Sequence, residues 1–295
     1  MKILLTGASG QVGYELQRSL QGLGAVVALD RTQMDLSDLD QVRDAVRAVH
    51  PGLIVNPAAY TAVDKAESES ALAHRINAEA PGVMAQEARA LGAAMVHYST
   101  DYVFDGTKEG AYLETDATNP LNVYGRSKLA GEQAIAQAGI PHLIFRTSWV
   151  YGMRGSNFLL TMLRLARERE QLRVVADQFG APTWSRTIAD STALVLAQAF
   201  ASTGAEQCAG AAGGAWWERN SGIYHLSSQG STAWSGFTEE IIARAGLACQ
   251  VLPIGTADYP TAARRPANSR LDSHKLMERF CHLPDWRAAL ALCLG

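Results

Sequence analysis

The chain has 295 residues, of which 47% are hydrophobic and 19% are charged, and its formal net charge is −3. This composition is typical of a globular protein that is long enough to bury a sizeable core, and it excludes a disordered or fibrous chain. The slight negative charge gives no basic surface, so the sequence does not indicate a nucleic-acid partner.

The apolar segments and the cysteines point to the same compartment. The opening MKILLTGASG is interrupted too early to be a signal peptide, and no apolar run reaches the ~18 residues of a membrane span. The cysteines Cys208, Cys249, Cys281 and Cys293 are too scattered for a CxxC metal site or a disulfide framework. We therefore expect reduced thiols, a cytoplasmic location and no contact with a membrane.

The first half of the chain alternates between short apolar runs and helical patterns. The runs that we predict as β-strands are KILLT, AVVAL, LIVN, AMVHYS and LIFRT. The helical patterns between them are QVGYELQRSLQGLG, SDLDQVRDAVRAVH and ESALAHRINAEAPGVMAQEARALG. Alternating strands and helices predict a parallel sheet covered on both faces, which is a doubly wound α/β fold of the Rossmann type.

A glycine-rich loop, TGASGQVG, joins the first predicted strand to the first predicted helix. Here Gly7 permits a tight turn, Gly10 lets the backbone approach a pyrophosphate, and Gly13 lets the helix pack closely on the strand. Backbone N–H groups at the start of the helix, including those of Gln11 and Val12, would bind the anion. The loop therefore predicts a dinucleotide site.

The end of the second predicted strand bears on the choice of dinucleotide. Asp30 lies about 20 residues beyond the glycine loop, where a carboxylate accepts hydrogen bonds from the adenosine ribose of NADH. The adjacent Arg31 could instead pair with the 2′-phosphate of NADPH. The sequence therefore predicts NADPH or NADH and does not decide between them.

Polar residues at two further places are candidates for catalysis. In HYSTDYVF, Ser99, Thr100 and Asp101 fall at the carboxyl end of a parallel strand, where ligands bind in such sheets. In YGRSK, Tyr124 and Lys128 are four residues apart and share one face of a predicted helix. A helix-surface pair is the alternative interpretation of that spacing.

A tyrosine beside a lysine suits the reduction of a ketone, which needs a hydride at carbon and a proton at oxygen. Free tyrosine has a pKa of about 10, and a neighbouring ammonium favours the phenolate and lowers that pKa. We therefore expect Lys128 to make Tyr124 a stronger acid. Thr100 can hydrogen-bond the carbonyl of the substrate and orient it.

The second half of the chain is less regular. IYHLSS is predicted to add one more strand to the sheet, and the Gly/Ala-rich stretch TGAEQCAGAAGGAWWERNSG is predicted to be a loop or an insertion. We predict a dinucleotide-binding domain formed by residues 1–150 and about 188–227. A smaller C-terminal substrate lobe would consist of residues from about 151–187 and 228–295.

Taken together, TGASGQVG, the STD at a strand end and the YxxxK pair resemble the extended short-chain dehydrogenase/reductase family. Longer stretches resemble the branch of that family that reduces a dTDP-linked 4-ketosugar: NPAAYTAVDKAE, HYSTDYVFDG, NVYGRSKLAGE, FRTSWVYG, DQFGAPT and ARRPANSRLD. The resemblance extends from Met1 to about Trp286. It implies a reductase that uses NADPH or NADH on a dTDP-sugar, as a monomer or a weak homodimer.

The resemblance also implies a role for each matching residue. Tyr124 would donate the proton, Lys128 would bind the cofactor ribose, and Thr100 would complete the catalytic triad. Asp101 and Trp149 would contact the substrate together with Thr100. Besides Gly7, Gly10 and Gly13, the residues implied to line the dinucleotide are Gln11, Val12, Asp30, Asp35, Leu36, Ala59, Tyr60, Thr61, Tyr98, Tyr124 and Lys128.

Three features of the chain limit the resemblance. Pro57 in NPAAY stands where such proteins often have alanine. Some relatives are described with magnesium held between glutamates, but GAPTWSRTIAD contains no glutamate, so we predict no required metal. The Gly/Ala-rich insertion near Cys208 is unusual, and the resemblance implies no role for it.

The run ARRPANSR could hold a diphosphate or close the sugar pocket, because arginine side chains suit phosphate oxygens. The sequence does not choose among Arg264, Arg265 and Arg270.

Other functions remain open on this fold. Sugar-nucleotide dehydratases typically follow Thr-Asp with Glu, where this chain has Tyr102, which argues against elimination. Another nucleotide-sugar epimerase or reductase, or a non-catalytic regulatory binding subunit, stays an alternative. The complete set of Thr100, Tyr124 and Lys128 favours catalysis.

Overall fold

The structure, a computed structural model, describes residues 1–202 and 214–295. Its strands are β1 (Lys2–Leu5), β2 (Ala25–Ala28), β3 (Leu53–Asn56), β4 (Ala94–Thr100), β5 (His142–Thr147), β6 (Val150–Tyr151), β7 (Gln171–Val175), β8 (Phe179–Gly180), β9 (Thr183–Trp184), β10 (Gly222–His225), β11 (Thr232–Ala233) and β12 (Gln250–Ile254). Its α-helices are α1 (Gln11–Ser19), α2 (Leu39–Val49), α3 (Val63–Ala66), α4 (Ser70–His74), α5 (Ala80–Leu91), α6 (Val123–Gln137), α7 (Phe158–Glu168), α8 (Ser185–Ala201), α9 (Ala215–Asn220), α10 (Trp234–Arg244), α11 (His274–Arg279) and α12 (Trp286–Leu294). A π-helical segment, Arg75–Glu79, joins α4 to α5, and 3₁₀ turns span Asp101–Val103 and Thr256–Asp258.

Six of these strands form one parallel sheet, in the order β2–β1–β3–β4–β5–β10. They correspond to the six apolar runs predicted as strands, so the predicted doubly wound parallel sheet is confirmed. The order changes direction at β1, because β2 and β3 lie on opposite sides of it. Where the strand order reverses in this way, the loops that follow the neighbouring strands diverge. A crevice then opens between these loops at the carboxyl ends of the strands.

Alternate side chains of β1 cover the two faces of the sheet. On one face, Ile3 and Leu5 share a buried cluster with Leu16 of α1 and Ile188 of α8. On the other face, Leu4 belongs to a buried cluster that includes side chains of α2, α5 and α6. The sheet is therefore apolar on both faces, which explains why its strands are continuous apolar runs in the sequence.

A further buried cluster lies outside the sheet. It is built mainly from α7, β7, α10 and α12, and Leu159, Phe237 and Trp286 are among its fully buried side chains. Both segments of the predicted substrate lobe contribute to this cluster. Leu276 of α11 and Leu283 pack in the cluster of the sheet instead, so the domain boundaries stay a prediction.

The Gly/Ala-rich stretch is described only in part. Residues 203–213, which include Cys208, lie outside the described residues. The end of the stretch forms α9, whose Trp216 and Trp217 are buried in the cluster of the sheet. The prediction of a loop is therefore wrong for residues 215–220, because two large apolar side chains drive a short helix against the core.

Residues 1–202 and 214–295 contain neither a helix that could span a membrane nor a cluster of metal-binding side chains. No helix in these ranges combines the length and the apolar character that a membrane span needs. Cys249, Cys281 and Cys293 are free thiols. The same ranges hold no group of three or more His, Cys, Asp or Glu side chains placed to bind a metal ion.

The contact between α6 and the π-helical segment depends on a glycine. A Cβ atom at Gly131 would lie 2.1 Å from the backbone oxygen of Asn77, so one of the two segments would have to move. We expect Gly131→Ala to lower the free energy of unfolding by about 1–3 kcal/mol, the usual cost of overpacking. Urea denaturation measures this change.

Gly82→Ala is the matched control, because Gly82 lies in α5 and faces the same helix, α6. Its Cβ atom would meet the side chain of Ala134 at 3.3 Å, with no backbone atom in the way. We expect this variant to change the free energy of unfolding by less than about 1 kcal/mol. Equal losses in both variants would contradict the proposed role of Gly131.

Candidate active site

The glycine loop after β1 can only be built with small residues. Gly7 has a φ of +58°, and a Cβ atom there would lie 2.9 Å from the Cβ atom of Ala58. A Cβ atom at Gly13 would lie 2.1 Å from the backbone oxygen of Gly7. These two positions therefore require glycine for a left-handed turn and for the close approach of α1 to β1.

The helix α1 begins at Gln11 without a capping side chain. Its N-cap residue is Gly10, whose backbone oxygen accepts the first helical hydrogen bond, from the N–H group of Tyr14. The preceding N–H groups have no acceptor within the helix, and Gln11, Val12 and Gly13 line an open cavity. An uncapped helix N-terminus at a cavity attracts an anion, so this end of the site fits the pyrophosphate of a dinucleotide.

The cavity has a volume of about 610 Å³, which is in the range of small-molecule sites. It lies at the carboxyl ends of the parallel strands, in the crevice that the strand order opens. All of the residues predicted to line a dinucleotide, with the exception of Asp30, line this cavity: Gly7, Gly10, Gln11, Val12, Gly13, Asp35, Leu36, Ala59, Tyr60, Thr61, Tyr98, Tyr124 and Lys128.

Several other residues of the cavity were missed by the sequence analysis. They are Ser9, Met34, Ala58, Ala62, Ile76, Thr147, Val150, Gly155 and Ser156. A signal was available for Thr147, because it lies at the end of β5 just as Thr100 lies at the end of β4, and Val150 follows three residues later at the start of β6. No local pattern in the sequence marks Gly155 and Ser156, which approach the cavity from the segment before α7.

Of the two residues that bear on the choice of dinucleotide, Arg31 lines the cavity and Asp30 does not. Oδ1 of Asp30 accepts hydrogen bonds from the N–H group and the hydroxyl of Thr32, at 2.9 and 2.6 Å, and these bonds lower the pKa of Asp30. Its carboxylate is thus held within its own turn. Arg31 lines the cavity, and its side chain is 75% exposed and 3.5 Å from the carboxylate of Asp35.

Tyr124 and Lys128 lie one turn apart on α6, and both line the cavity. The helix begins at this point because Oδ1 of Asn122 accepts a hydrogen bond of 2.8 Å from the N–H group of Gly125. The hydroxyl of Thr100, at the end of β4, lies close enough to the phenol of Tyr124 to lower its pKa. The structure therefore brings the three predicted catalytic residues together, although Thr100 itself does not line the cavity.

The expected acidification of Tyr124 by Lys128 is not observed. Burial raises the pKa of Tyr124 above its ordinary value, and the nearby carboxylate of Asp101 raises it further, against the effect of the Thr100 hydroxyl. Nζ of Lys128 donates instead to the backbone oxygen of Tyr98, at 2.6 Å. The phenol of Tyr124 therefore keeps its proton at neutral pH, as a proton donor must.

Two other titratable groups of the site are shifted by burial. Lys128 is 1% exposed, and burial lowers its pKa to about 8 despite the favourable charge of Glu132. Asp101 is 2% exposed, and burial raises its pKa to about 6, against hydrogen bonds with Ser269 and Thr100. Both groups can therefore change charge close to neutral pH.

Trp149, which was predicted to contact the substrate, does not line the cavity. Its φ is +49°, an uncommon conformation for a bulky residue. Its indole stacks on that of Trp234, with ring centroids 3.5 Å apart and planes inclined by 7°. A Cβ atom at Gly180 would lie 2.5 Å from the Trp149 ring. The contact of Trp149 with a substrate stays a prediction.

The three arginines of ARRPANSR have different surroundings. Arg265 forms a bidentate ion pair with Asp64, at 2.8 and 2.7 Å. Arg270 donates to Oδ1 of Asn268 at 2.8 Å and to the backbone oxygen of Glu109. Among the described residues, the guanidinium of Arg264 has no hydrogen-bond or ion-pair partner.

The backbone of Arg264 is nevertheless fixed close to the catalytic helix. Its oxygen accepts a hydrogen bond of 2.8 Å from Nδ2 of Asn122, the residue that caps α6 immediately before Tyr124. Arg264 itself is exposed. Its side chain is therefore the one in this run that is available to a ligand.

Comparison with known proteins gives one consistent result over the whole chain. A dTDP-4-dehydrorhamnose reductase of Burkholderia thailandensis is 53% identical over 303 residues, which cover 100% of this chain and 98% of that protein. A solved dTDP-4-dehydrorhamnose reductase of Clostridium acetobutylicum has a TM-score of 0.89 at 34% identity, over 100% of this chain and 98% of that one. That of Bacillus anthracis, solved in complex with NADP, has a TM-score of 0.87 at 35% identity, over 99% of this chain and 98% of that one.

The family described as RmlD substrate binding domain matches residues 1–295. The resemblance found in the sequence is thereby confirmed, and the chain belongs to the RmlD substrate binding domain family.

Proposed function

We propose that this protein reduces the C4 ketone of dTDP-4-dehydro-β-L-rhamnose to give dTDP-L-rhamnose, with NADPH or NADH as reductant. This reaction is the last step of dTDP-L-rhamnose biosynthesis. The observation that carries the proposal is the meeting of Tyr124, Lys128 and Thr100 beside a cavity that begins at an uncapped helix N-terminus. When bound there, the reduced nicotinamide supplies the hydride.

The residues of the chain divide the remaining work. The N–H groups at the start of α1 bind the pyrophosphate, and Lys128 is placed for the ribose next to the nicotinamide. The hydroxyl of Thr100 donates to Oδ1 of Asp101 at 3.0 Å, so it must turn away from that carboxylate to reach the carbonyl oxygen of the substrate. Tyr124 donates its proton to that oxygen as negative charge develops there. A secondary alkoxide is a stronger base than a phenolate, so the transfer is favourable even from a phenol of raised pKa.

Arg264 is the residue that we assign to the diphosphate of the substrate. Arg265 and Arg270 are held by partners within the chain, whereas the guanidinium of Arg264 is exposed and its backbone is tied to the cap of α6. A planar guanidinium matches the oxygens of a diphosphate. This assignment makes a choice that the sequence left open.

We retain five predictions that follow from the sequence and from the resemblance. The reaction is expected in the cytoplasm, without a nucleic-acid partner and without a required metal. The protein is expected to act as a monomer or a weak homodimer. Trp149 and Asp101 are expected to contact the sugar.

A turnover assay with dTDP-4-dehydro-L-rhamnose tests the function. A reductase consumes one NADPH or NADH for each ketosugar, whereas an epimerase recycles its bound cofactor and a regulatory subunit consumes none. We expect a stoichiometric loss of reduced-dinucleotide absorbance. No loss with either dinucleotide would reject the proposal.

Removing the hydroxyl of Tyr124 should separate chemistry from binding. We expect Tyr124→Phe to lower kcat by about 10²-fold or more, because the carbonyl oxygen loses its proton donor. The Kd of NADPH, measured by fluorescence titration, should stay close to that of the wild type. Tyr14→Phe, which removes a hydroxyl from α1, is the control and should turn over normally. Near-full activity of Tyr124→Phe would remove Tyr124 from its role.

Arg31 should contribute to the choice between the two dinucleotides. We expect Arg31→Ala to raise the Kd of NADPH by about tenfold, equivalent to ~1.4 kcal/mol, because the 2′-phosphate loses a charged partner. The Kd of NADH should change little, since NADH has no phosphate at that position. Fluorescence titrations with both dinucleotides measure the effect, and equal losses for the two would contradict it.

Arg264 should act on the sugar nucleotide and not on the dinucleotide. We expect Arg264→Ala to raise the KM of the dTDP-sugar by roughly tenfold while the Kd of NADPH stays unchanged, because one charge-assisted contact is lost. Arg164→Ala removes an arginine that is likewise exposed, on α7, and serves as the control. An unchanged KM in Arg264→Ala would exclude Arg264 from the diphosphate site.

A further inference from the structure

A line of buried polar side chains leads away from Lys128 into the sheet. Nζ of Lys128 lies 3.2 Å from Nε2 of His97 on β4, and Nδ1 of His97 lies 3.1 Å from Nδ2 of Asn56 on β3. Oδ1 of Asn56 accepts a hydrogen bond of 2.6 Å from Oγ1 of Thr6, just after β1. All four side chains are at most 1% exposed. We call Thr6, Asn56, His97 and Lys128 the buried relay; of its members, the reaction described above uses Lys128 alone.

The amide of Asn56 determines where the hydrogens of the buried relay lie. Its Nδ2 atom can only donate, so Nδ1 of His97 accepts. Burial and the neighbouring Lys128 hold the pKa of His97 well below its ordinary value, so the ring is neutral and carries its single hydrogen on Nε2. That hydrogen is donated towards Nζ, and only a neutral amine at Lys128 can accept it.

An ammonium at Lys128 requires the opposite arrangement. Every hydrogen on Nζ then donates, so Nε2 of His97 must accept and the hydrogen of the ring moves to Nδ1. If the amide of Asn56 turns over, its oxygen accepts from Nδ1 and its Nδ2 atom donates to Oγ1 of Thr6. A hydroxyl accepts as readily as it donates, so Oγ1 of Thr6 accepts from Nδ2 and its own hydrogen rotates away from Asn56. The same four side chains can therefore pair with either charge state of Lys128.

We propose that His97, oriented by Asn56 and Thr6, is a positioning residue that keeps Nζ of Lys128 hydrogen-bonded in both its charged and its neutral form. A partner with a fixed direction would leave a buried polar group unpaired in one of the two states, which is costly. A partner that reverses its direction avoids this cost at Lys128 and at His97. Lys128 can thus release a proton to the cavity that it lines, and recover it, without moving.

One charged group, Glu132 on α6, also acts on Lys128. Glu132, one turn further along α6, favours the ammonium. It is itself paired with Arg146 of β5 through two hydrogen bonds of 2.9 and 2.7 Å, which compensate most of its charge. Tyr124 is neutral, because burial raises its pKa. Burial therefore lowers the pKa of Lys128 by more than the charge of Glu132 raises it, so the neutral amine can form.

On β4, the groups that face Lys128 are both uncharged. They are the neutral ring of His97 and the backbone oxygen of Tyr98, which accepts from Nζ. The oxygen of Tyr98 can only accept, so it pairs with both forms of Lys128. The ring of His97 is the partner that must change.

The use of the buried relay in catalysis rests on the proposed function, but its existence can be tested without substrate or dinucleotide. The chain has only five lysines and seven histidines, so NMR spectra of protein labelled with ¹³C at lysine Cε and with ¹⁵N in histidine are simple. The Lys128→Met variant identifies the signal of Lys128, and the His97→Asn variant identifies that of His97. A negative result would leave the turnover assay unaffected, so the two proposals fail separately.

In the wild-type protein, we expect the signal of Lys128 to titrate with a pKa of about 8, below the other lysines. Over the same pH range, the ring nitrogens of His97 should change from the Nδ1–H tautomer to the Nε2–H tautomer, with the same midpoint. The coincidence of the two midpoints supports the buried relay. A single tautomer across the whole titration overturns it.

Two variants of His97 test whether Lys128 needs a hydrogen-bond partner at the position of Nε2, or whether any polar side chain at residue 97 is sufficient. The amide of His97→Gln lies near the former Nε2 and can still pair with Nζ, whereas that of His97→Asn lies near the former Nδ1 and cannot. We expect the pKa of Lys128 to fall by about one unit in His97→Asn, a tenfold change in the deprotonation equilibrium, because the ammonium loses a partner.

In His97→Gln, the pKa of Lys128 should stay close to the wild-type value. Equal pKa values of Lys128 in the two variants, whether both are shifted or neither, overturn the proposal. If His97→Asn does not fold, Lys128→Met still assigns Lys128, His97→Gln assigns His97, and the tautomer titration of the wild type decides.

Discussion

The position of α6 is the constraint on which the candidate site depends. A Cβ atom at Gly125 would lie 2.2 Å from the backbone oxygen of Tyr102, and one at Gly131 would lie 2.1 Å from that of Asn77. The helix therefore touches backbone near its start and in its middle, which fixes its position against the turn after β4 and against the π-helical segment. Because Tyr124 and Lys128 belong to this helix, the same contacts set how deeply the two side chains are buried.

Burial is in turn the largest cause of the unusual titration of the site. It opposes charge on Tyr124, Lys128 and Asp101 alike, although these groups differ in sign. A buried lysine lowers the stability of the folded state, and such a cost is typical of functional sites. The bonds from Nζ to Tyr98 and His97 limit this cost and hold the amine at the edge of the cavity.

The sheet and most of the cavity were predictable, because both depend on local patterns. Strands buried on two faces are continuous apolar runs, and a glycine loop after a strand has few structural solutions. The hydrogen bonds of Asp30 could not be predicted from such a pattern. The carboxylate that was expected to bind the ribose of the dinucleotide accepts hydrogen bonds from Thr32 instead. The pKa of Tyr124 was predicted in the wrong direction, because spacing along α6 does not show which oxygen Nζ reaches. Gly155 and Ser156 join the site only through the tertiary fold.

The stacking of Trp149 on Trp234 also has an optical consequence. Two indoles whose planes are inclined by 7° at a centroid separation of 3.5 Å couple electronically and contribute to the near-ultraviolet circular dichroism as a pair. The pair connects the loop between β5 and β6 with the start of α10, which belongs to the buried cluster outside the sheet. The chain thus contains an intrinsic chromophore between this loop and α10, whose signal depends on the geometry there without any added label.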